Sequence, residues 1–284
     1  SQMMPGGYGV DYMQKFCSIA DAEGLIDAIN VTGGWHEAPV PQISYQLPAG
    51  GFAYLADAIK RVVNVPVIAC NRINNIDTIE KILENGIADF VGTARGFLAD
   101  PNFADKVLTG MPYNRCQGCN KCIEAVLRGK LVLCAYNPEV GHEAEEKTHR
   151  KVVSAKKVLV VGAGPAGLEA AKKSAERGYK TILCTEDSAI GGMLVDAAIP
   201  PHKQDLLKFI ENKKYELEQL GVDIRYNTTV DGEFVSELKP YFVVEAFGGE
   251  AFVPNIKGID RENVYMALDV LKGGPEMAAK IKKG

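Results

Sequence analysis

A glycine-rich loop between an apolar run and a helical pattern restricts the fold more than any other feature. Residues 157–161 read KVLVV, and Gly162, Gly164 and Gly167 follow directly within the sequence GAGPAG. In such a strand–loop–helix unit the first glycine makes a tight turn, the second lets the backbone approach a pyrophosphate, and the third lets helix and strand pack closely. The helix N-terminus then faces the anion. We therefore predict a dinucleotide-binding α/β unit; the alternative is a glycine turn that binds no nucleotide.

The residues after the loop extend this α/β pattern. An acidic residue about 20 positions further on would bind the ribose hydroxyls of a dinucleotide, and Glu186 and Asp187 lie just after the predicted strand 181–184. This spacing does not decide between FAD and NAD(P). An amphipathic helix that should end at Gly221 and two further strands follow; the helix carries Leu206, Leu207, Ile210, Leu217 and Leu220, and the strands cover 222–226 and 241–246.

The N-terminal part of the chain has the same alternation of strands and helices. Short apolar runs at 27–32, 65–70 and 88–92 predict buried strands. Between them, apolar residues recur at helical spacing: Phe52, Leu55, Ala56, Ile59 and Val63 in one segment, Ile79, Ile82 and Leu83 in the next. Strands that alternate with helices in this way predict βαβ units and a parallel sheet.

Four cysteines are close together between the two α/β regions. They are Cys116, Cys119, Cys122 and Cys134. Three closely spaced thiolates and a fourth further along favour a 4Fe–4S cluster, because that cluster takes four thiolate ligands. A structural zinc site more often uses two separate pairs of cysteines. Zinc binding and an incidental grouping remain the alternatives.

The other cysteines and the overall composition exclude several classes of protein. Cys17, Cys70 and Cys184 stand alone in apolar stretches, which is typical of small buried side chains in a reducing compartment, so we expect a cytoplasmic protein. With 32 basic and 36 acidic residues the net charge is only −4, which favours neither a nucleic acid nor a membrane surface as partner. The 284 residues suffice for roughly two domains.

Several motifs together resemble the 2,4-dienoyl-CoA reductase and 2-enoate reductase family, whose relatives include bile-acid flavin reductases and trimethylamine dehydrogenase. Beyond GAGPAG and the cysteine run, the motifs are Gly34-Trp35-His36-Glu37-Ala38, Asn71-Arg72-Ile73, Ala94-Arg95, Leu98-Ala99-Asp100-Pro101 and Ile190-Gly191-Gly192. The family joins an FMN-binding barrel of the Old Yellow Enzyme type to an iron–sulfur segment and a pair of FAD and NAD(P) domains. In it, electrons pass from NAD(P)H through FAD and the cluster to FMN.

The resemblance implies a domain order for this chain. Residues 1–110 would be the C-terminal part of a (β/α)8 FMN barrel, with the predicted strands as its last three, and 111–143 the iron–sulfur segment. Residues 144–156 would be a linker, and 157–284 an incomplete Rossmann-like FAD domain that lacks its NAD(P) insertion. Because three strands cannot close a barrel, we expect the chain to be an internal fragment of a longer protein. The full-length chain is expected to form a homo-oligomer.

Residues of the resembling motifs take on expected roles. Arg72 and the backbone at Ala94 and Arg95 would hold the FMN phosphate. His36 would be the catalytic acid and substrate anchor, and Glu37 and Ala38 would contact an unsaturated carbonyl substrate. The FAD site would use the loop glycines and a further set of residues: Ala166, Thr185, Glu186, Gly192, Met193, Lys203 and Val230.

The resemblance implies reduction of an activated C=C bond, of enoate, enoyl-CoA or dienoyl-CoA type. Three alternatives remain: an amine dehydrogenase of the trimethylamine dehydrogenase type, a non-catalytic electron-transfer subunit, and a zinc-stabilised nucleotide-binding module. Two departures from the family pattern bear on the flavin sites. Thr185 stands at the usual acidic position, with Glu186 one step later, and Phe247-Gly248-Gly249 replaces a Thr-Gly-Ala or Thr-Gly-Ser segment.

Overall fold

A computed structural model describes residues 3–35, 38–40, 44–146, 151–152 and 156–281. The chain divides into two compact units, residues 1–146 and 147–284. The first unit contains β-strands that alternate with α-helices and are followed by shorter helices. In chain order these elements are α1 Val10–Ala22, β1 Ile29–Val31, α2 Ala53–Lys60, β2 Val67–Ala69, α3 Ile76–Glu84, β3 Phe90–Val91, α4 Ala94–Ala99, α5 Phe103–Thr109, α6 Lys121–Leu127 and α7 Glu143–Glu146.

The strands of the first unit form a parallel sheet in the order β1-β2-β3. Ile29 pairs with Val67, and Ile68 pairs with Phe90. Helix α2 packs on this sheet through Ala53, Ala56 and Ile59, which contact the buried β2 residues, so the helical periodicity of the sequence matches the observed core. Because the strands are parallel, their carboxyl ends lie at one edge of the sheet, and the loops after them meet there.

The second unit begins with the strand that precedes the glycine loop. Its elements are β4 Lys157–Val161, α8 Pro165–Glu176, β5 Lys180–Cys184, α9 Met193–Ala197, α10 Asp205–Gln219, β6 Asp223–Arg225, α11 Gly232–Leu238, β7 Phe242–Glu245, α12 Ala267–Lys272 and α13 Gly274–Ile281.

These strands form a parallel sheet in the order β6-β5-β4-β7. Val160 pairs with Leu183 on one side and with Val244 on the other. The central strands β4 and β5 are almost wholly buried, as expected for parallel strands covered on both faces. Helix α8 packs against them through Leu168 and Ala171. The predicted parallel α/β architecture is thus confirmed in both units.

The predicted strands are all present, and those of the first unit are shorter than their apolar runs. The run 27–32 yields β1 at 29–31, and the run 88–92 yields only β3 at 90–91. Helix α10 ends as predicted: its C-cap is Leu220, and Gly221 follows with a φ of 69°, a left-handed conformation that glycine adopts without strain.

Several predictions about burial and local structure were wrong. Leu207 and Leu220 of the α10 region are exposed, whereas Asn212 and Lys213 are buried. Lys213 can be buried because its Nζ lies 2.6 Å from Glu169 and 3.1 Å from Glu216, so carboxylates replace the lost water. Cys17 and Cys184 are buried as expected, but Cys70 is only half-buried because it lies at the sheet edge.

Two charged segments have defined positions relative to the helices. Residues 144–146, at the start of the predicted linker, belong to the helical turn α7. Lys203 lies just before α10, which begins at Asp205. No helix in the described part of the chain combines the length and apolar character that crossing a bilayer requires.

Candidate functional site

A cavity of about 480 Å³ lies at the carboxyl edge of the sheet in the first unit. It brings together the three residues predicted for the FMN phosphate with the first cysteine of the run. The lining residues are Asn30, Cys70, Asn71, Arg72, Ile73, Asn74, Gly92, Thr93, Ala94, Arg95, Gly96 and Cys116. Asn30 lies in β1, Cys116 lies in the segment after α5, and the other residues follow β2 and β3. The cavity therefore occupies the position where parallel barrels bind ligands.

The loop after β2 has an unusual backbone at this cavity. Asn71 and Arg72 have φ values of 76° and 53°, in the left-handed region that costs non-glycine residues roughly 1–3 kcal/mol. The Asn71 side chain is fixed from the β1 side, since its Oδ1 accepts a hydrogen bond of 2.9 Å from the backbone N–H of Gly33. Nε of Arg72 donates to the carbonyl of Leu47. Strain that is held in place by surrounding contacts is typical of ligand sites.

Arg95 connects the cavity with the cysteine run. Its Nη1 donates to Oδ1 of Asn120 at 3.0 Å, and Asn120 lies between Cys119 and Cys122. A second close approach joins Arg72 to the same run, because a Cβ on Gly118 would come within 2.6 Å of the Arg72 Nη1. Both arginines of the predicted phosphate site therefore contact the segment that carries the cysteines.

Asn74 is a residue of this site that sequence reasoning missed. Its side chain is buried, and its Nδ2 donates to the backbone carbonyl of Cys116. A polar side chain that follows a buried strand is a signal that could have identified it. The contact spans 42 residues, however, so no local pattern predicts it.

The four cysteines are free thiols that influence one another electrostatically. Burial raises the pKa of the Cys116 thiol, and Cys134 and Cys122 add to this rise. The N–H of Gly118 and the cation of Arg95 act in the opposite direction. Burial also raises the pKa of Cys134, where Cys119 and Cys122 contribute in the same sense, against the N–H groups of Tyr136 and Asn137. Cys119 is exposed.

The cysteines fit a cluster by their chemistry, although their thiols are not yet arranged as ligands. Among the described residues, no three Cys, His, Asp or Glu side chains form a group tight enough to hold a metal ion as they stand. The pKa directions show only that Cys116 and Cys134 lie within electrostatic range of other cysteines of the run. The donor set, four cysteine sulfurs, is the one that a 4Fe–4S cluster takes.

In the second unit, the glycine loop lies at the carboxyl end of β4. Gly162 has a φ of 102°, and a Cβ on Gly167 would lie 1.8 Å from the Gly162 carbonyl oxygen, so both positions exclude a side chain. Gly164 differs, since a Cβ there would meet nothing within 4 Å. Gly192 packs against Gly164: a Cβ on Gly192 would lie 3.0 Å from the Cα of Gly164. The two glycine motifs of the sequence thus form one surface, with Ala166 exposed in the first turn of α8.

The turn after β5 separates the two candidates for the ribose position. Thr185 is buried, and its Oγ1 accepts a hydrogen bond from the N–H of Asp187, so the hydroxyl stabilises the turn. Glu186 is exposed at the same turn. The N–H of Gly162 donates to the carbonyl of Cys184 at 2.8 Å, which fixes this turn beside the glycine loop.

The remaining predicted FAD residues lie in different surroundings. Met193 directly follows Gly192, begins α9 and is exposed. Val230 packs against the core cluster of Leu159, Ile182 and Cys184. The backbone N–H of Lys203 donates to the carbonyl of Pro200.

Of the predicted substrate residues, the structure describes only Ala38. His36 and Glu37 lie outside the described residues, so the catalytic assignment of His36 stays a prediction. Ala38 is buried, and its N–H donates to the carbonyl of Trp35.

Two family profiles match this chain in the order that the sites suggest. Together they define a flavoprotein of the oxidoreductase class: residues 157–239 match the profile described as FAD dependent oxidoreductase, and residues 10–114 match another. Residues 10–114 belong to the family of that second profile, the NADH:flavin oxidoreductase / NADH oxidase family.

Known proteins similar to the chain differ in what their names say they act on. A metal reductase of Desulforamulus reducens is 42% identical over 280 residues, covering 96% of this chain and 42% of that protein. An N,N-dimethylglycine/sarcosine dehydrogenase of Chromohalobacter salexigens is 33% identical, covering 96% and 41%. The solved complex of 2-naphthoyl-CoA reductase with 2-naphthoyl-CoA has a TM-score of 0.89 at 30% identity, covering 95% and 42%. The chain therefore spans about two fifths of the length of these relatives.

Proposed function

We propose that the protein containing this chain reduces an activated C=C bond of a small unsaturated carbonyl compound with electrons from NAD(P)H. The observation that carries this proposal is the cavity that Arg72, Ala94, Arg95 and Cys116 line together. The two arginines beside the strained backbone would bind a phosphate group. Cys116 lines the same cavity, so a cluster that it ligates would lie close enough to pass single electrons to a flavin bound there.

This chain's residues would hold three redox groups. Arg72 and the 94–95 backbone would bind the FMN phosphate, Cys116, Cys119, Cys122 and Cys134 a 4Fe–4S cluster, and the glycine loop a dinucleotide. Flavins exchange hydrides, whereas a cluster passes single electrons, so together they connect NAD(P)H oxidation to substrate reduction. In the second unit, the open space at Gly164 supports approach of a pyrophosphate, and the exposed Glu186 supports binding of a ribose. We further propose a Rossmann-like FAD domain there and the last strands of an FMN barrel in the first unit.

The residues predicted for the substrate complete the proposal. His36 would donate a proton or polarise the carbonyl group, and Glu37 and Ala38 would border the substrate. The similarity to 2-naphthoyl-CoA reductase supports a reductive reaction on an unsaturated carbonyl compound. The free thiols support a reducing, cytoplasmic location. We propose an assembly of identical full-length chains.

Oxidation of an amine is the second candidate. The similarity to N,N-dimethylglycine/sarcosine dehydrogenase favours it, because the name of that protein describes the oxidation of an amine. In that case electrons would leave the substrate instead of reaching it. A steady-state assay distinguishes the two directions.

The test uses the full-length protein purified under anaerobic conditions. We expect iron, acid-labile sulfide, FMN and FAD to copurify, and NAD(P)H oxidation to depend on an enoate or enoyl-CoA. Arg72→Gln should lower FMN content at least tenfold, whereas Arg61→Gln, an exposed arginine on α2 paired with Asp57, should leave it unchanged. Zinc without iron or sulfide would refute the cluster. Turnover of secondary or tertiary amines with no turnover of unsaturated carbonyl compounds would reverse the proposed direction.

A further inference from the structure

Arg95 belongs at once to the phosphate cavity and to the surroundings of the cysteines. It lines the cavity with Arg72, and its guanidinium donates to Asn120 of the cysteine run at 3.0 Å. Cys116, the first cysteine of the run, lines the same cavity as Arg95. The phosphate cavity and the cysteine run thus share the cation of Arg95 and the cavity wall at Cys116.

A shared cation has a consequence for redox chemistry. An electron added to an iron–sulfur cluster increases its negative charge, and a nearby cation stabilises that state. A phosphate dianion that engages the same guanidinium draws it towards the cavity and away from the cysteine run, and the reduced cluster then loses part of that stabilisation. The potential of the cluster should therefore respond to the phosphate in the cavity.

We propose that Arg95 couples the two sites: a flavin phosphate bound in the cavity lowers the reduction potential of the cluster through the Arg95 guanidinium. This inference rests on the proposed function, because it requires a cluster at the four cysteines and a phosphorylated flavin in the cavity. Arg95 acts here as a positioning residue, since it changes the cluster through charge and through its bond to Asn120.

Backbone contacts make the cysteine loop rigid enough to transmit this effect. The buried Asn74 side chain donates to the Cys116 carbonyl, and Gly118 leaves no space between its backbone and Arg72. The segment around Cys116 and Gly118 is held on both sides, so it should stay in place when the charge in the cavity changes. We therefore expect the coupling to shift the reduction potential of the cluster while the cluster stays assembled.

The test compares two flavins that differ only in the phosphate. Full-length protein is depleted of its FMN-site flavin and reconstituted with FMN or with riboflavin, and the cluster potential is measured by EPR-monitored titration. In the wild type we expect a lower potential with FMN than with riboflavin. In Arg95→Gln the potential should fall with either flavin, and the difference between the flavins should become smaller, because only the direct effect of the phosphate charge remains. Arg95→Lys, which keeps the charge, should retain part of the difference.

Arg128→Gln is the matched control, because it removes the same charge from an exposed arginine of the same segment that pairs with Glu124. It should keep the wild-type difference. If Arg95→Gln does not assemble a cluster, Asn120→Gly provides the second variant, since glycine tolerates the φ of 63° at this position and removes the acceptor. In Asn120→Gly we expect a smaller difference in cluster potential between the FMN and riboflavin forms, with FMN binding unchanged.

The outcomes separate this inference from the proposed function. Equal potentials with FMN and riboflavin in the wild type would overturn the coupling, as would a full difference that persists in both Arg95→Gln and Asn120→Gly. A protein that contains no iron and sulfide, or that binds no FMN, would instead refute the proposed function.

Discussion

Gly164 and Gly167 belong to one loop but have different reasons to be glycine. A Cβ at 167 would lie 1.8 Å from the backbone oxygen of Gly162, so the close packing of α8 on the loop requires glycine there. A Cβ at 164 would meet no atom within 4 Å, and its φ of −76° suits any residue. The fold therefore explains Gly167 but not Gly164, whose open surroundings fit the proposed approach of a pyrophosphate.

This contrast predicts opposite effects of two alanine substitutions. Gly167→Ala should lower the free energy of unfolding by roughly 1–3 kcal/mol, because backbone must shift to admit the methyl group. Gly164→Ala should unfold like the wild type but bind FAD at least tenfold more weakly. Chemical denaturation and fluorimetric titration of the apoprotein with FAD measure the two effects.

Gly232→Ala is the control for these substitutions, since Gly232 also lies in open space in the same unit but begins a different helix, α11. It should change neither quantity. FAD binding by Gly164→Ala at wild-type strength would show that no pyrophosphate approaches this position.

At the scale of elements, Asp89 ties three parts of the first unit together. It precedes β3, accepts a hydrogen bond of 2.6 Å from Lys60 at the end of α2, and accepts another of 2.8 Å from the N–H of Val67 in β2. The hydrogen bond from Lys60, followed by that from Val67, lowers the pKa of the Asp89 carboxyl. The carboxylate is thus more stable in the folded chain than in the unfolded chain.

The sign of this shift predicts a pH dependence for Asp89→Asn. A lowered folded-state pKa stabilises the fold above the unfolded pKa of about 3.9, and this stabilisation is lost as the pH falls through the folded-state value. At pH 7 we expect a loss of about 1 kcal/mol or less, because the pair is partly exposed. Denaturation between pH 7 and pH 2 should show wild type and variant converging below pH 4.

Asp57→Asn removes an exposed ion pair with Arg61 within the same helix, and should have a smaller effect at pH 7. A difference between wild type and Asp89→Asn that stays constant down to pH 2 would contradict the role of the charge.

At the scale of the whole molecule, the sequence predicts elements better than it predicts contacts between them. The alternation of apolar runs and helical spacing identified the strands and helices around the glycine loop, because those patterns are local. The burial of Lys213 depends on Glu169, 44 residues earlier, and no local pattern in α10 reveals it. The same holds for Asn74 and Cys116, whose contact forms only when the loops meet at the sheet edge. The cavity residues themselves, Arg72, Ala94 and Arg95, came from family resemblance and not from periodicity.

An apolar stripe on α1 has a consequence for the 284-residue chain studied alone. Tyr12, Phe16 and Ile19 recur at helical spacing and are at least half exposed, while Cys17 and Ala20 on another face are buried. Tyr8 stacks on Tyr12 at 4.4 Å between ring centroids and extends the stripe. A contiguous apolar surface of this kind favours association with another apolar surface, and in the isolated chain a second copy can provide it. We expect concentration-dependent association in sedimentation velocity experiments. Phe16→Glu should weaken this association at least tenfold, because it places a charge in the stripe.

Leu108→Glu, at an exposed leucine on α5, is the control and should leave association unchanged. Equal effects of the two substitutions would show that the α1 stripe is not the contact.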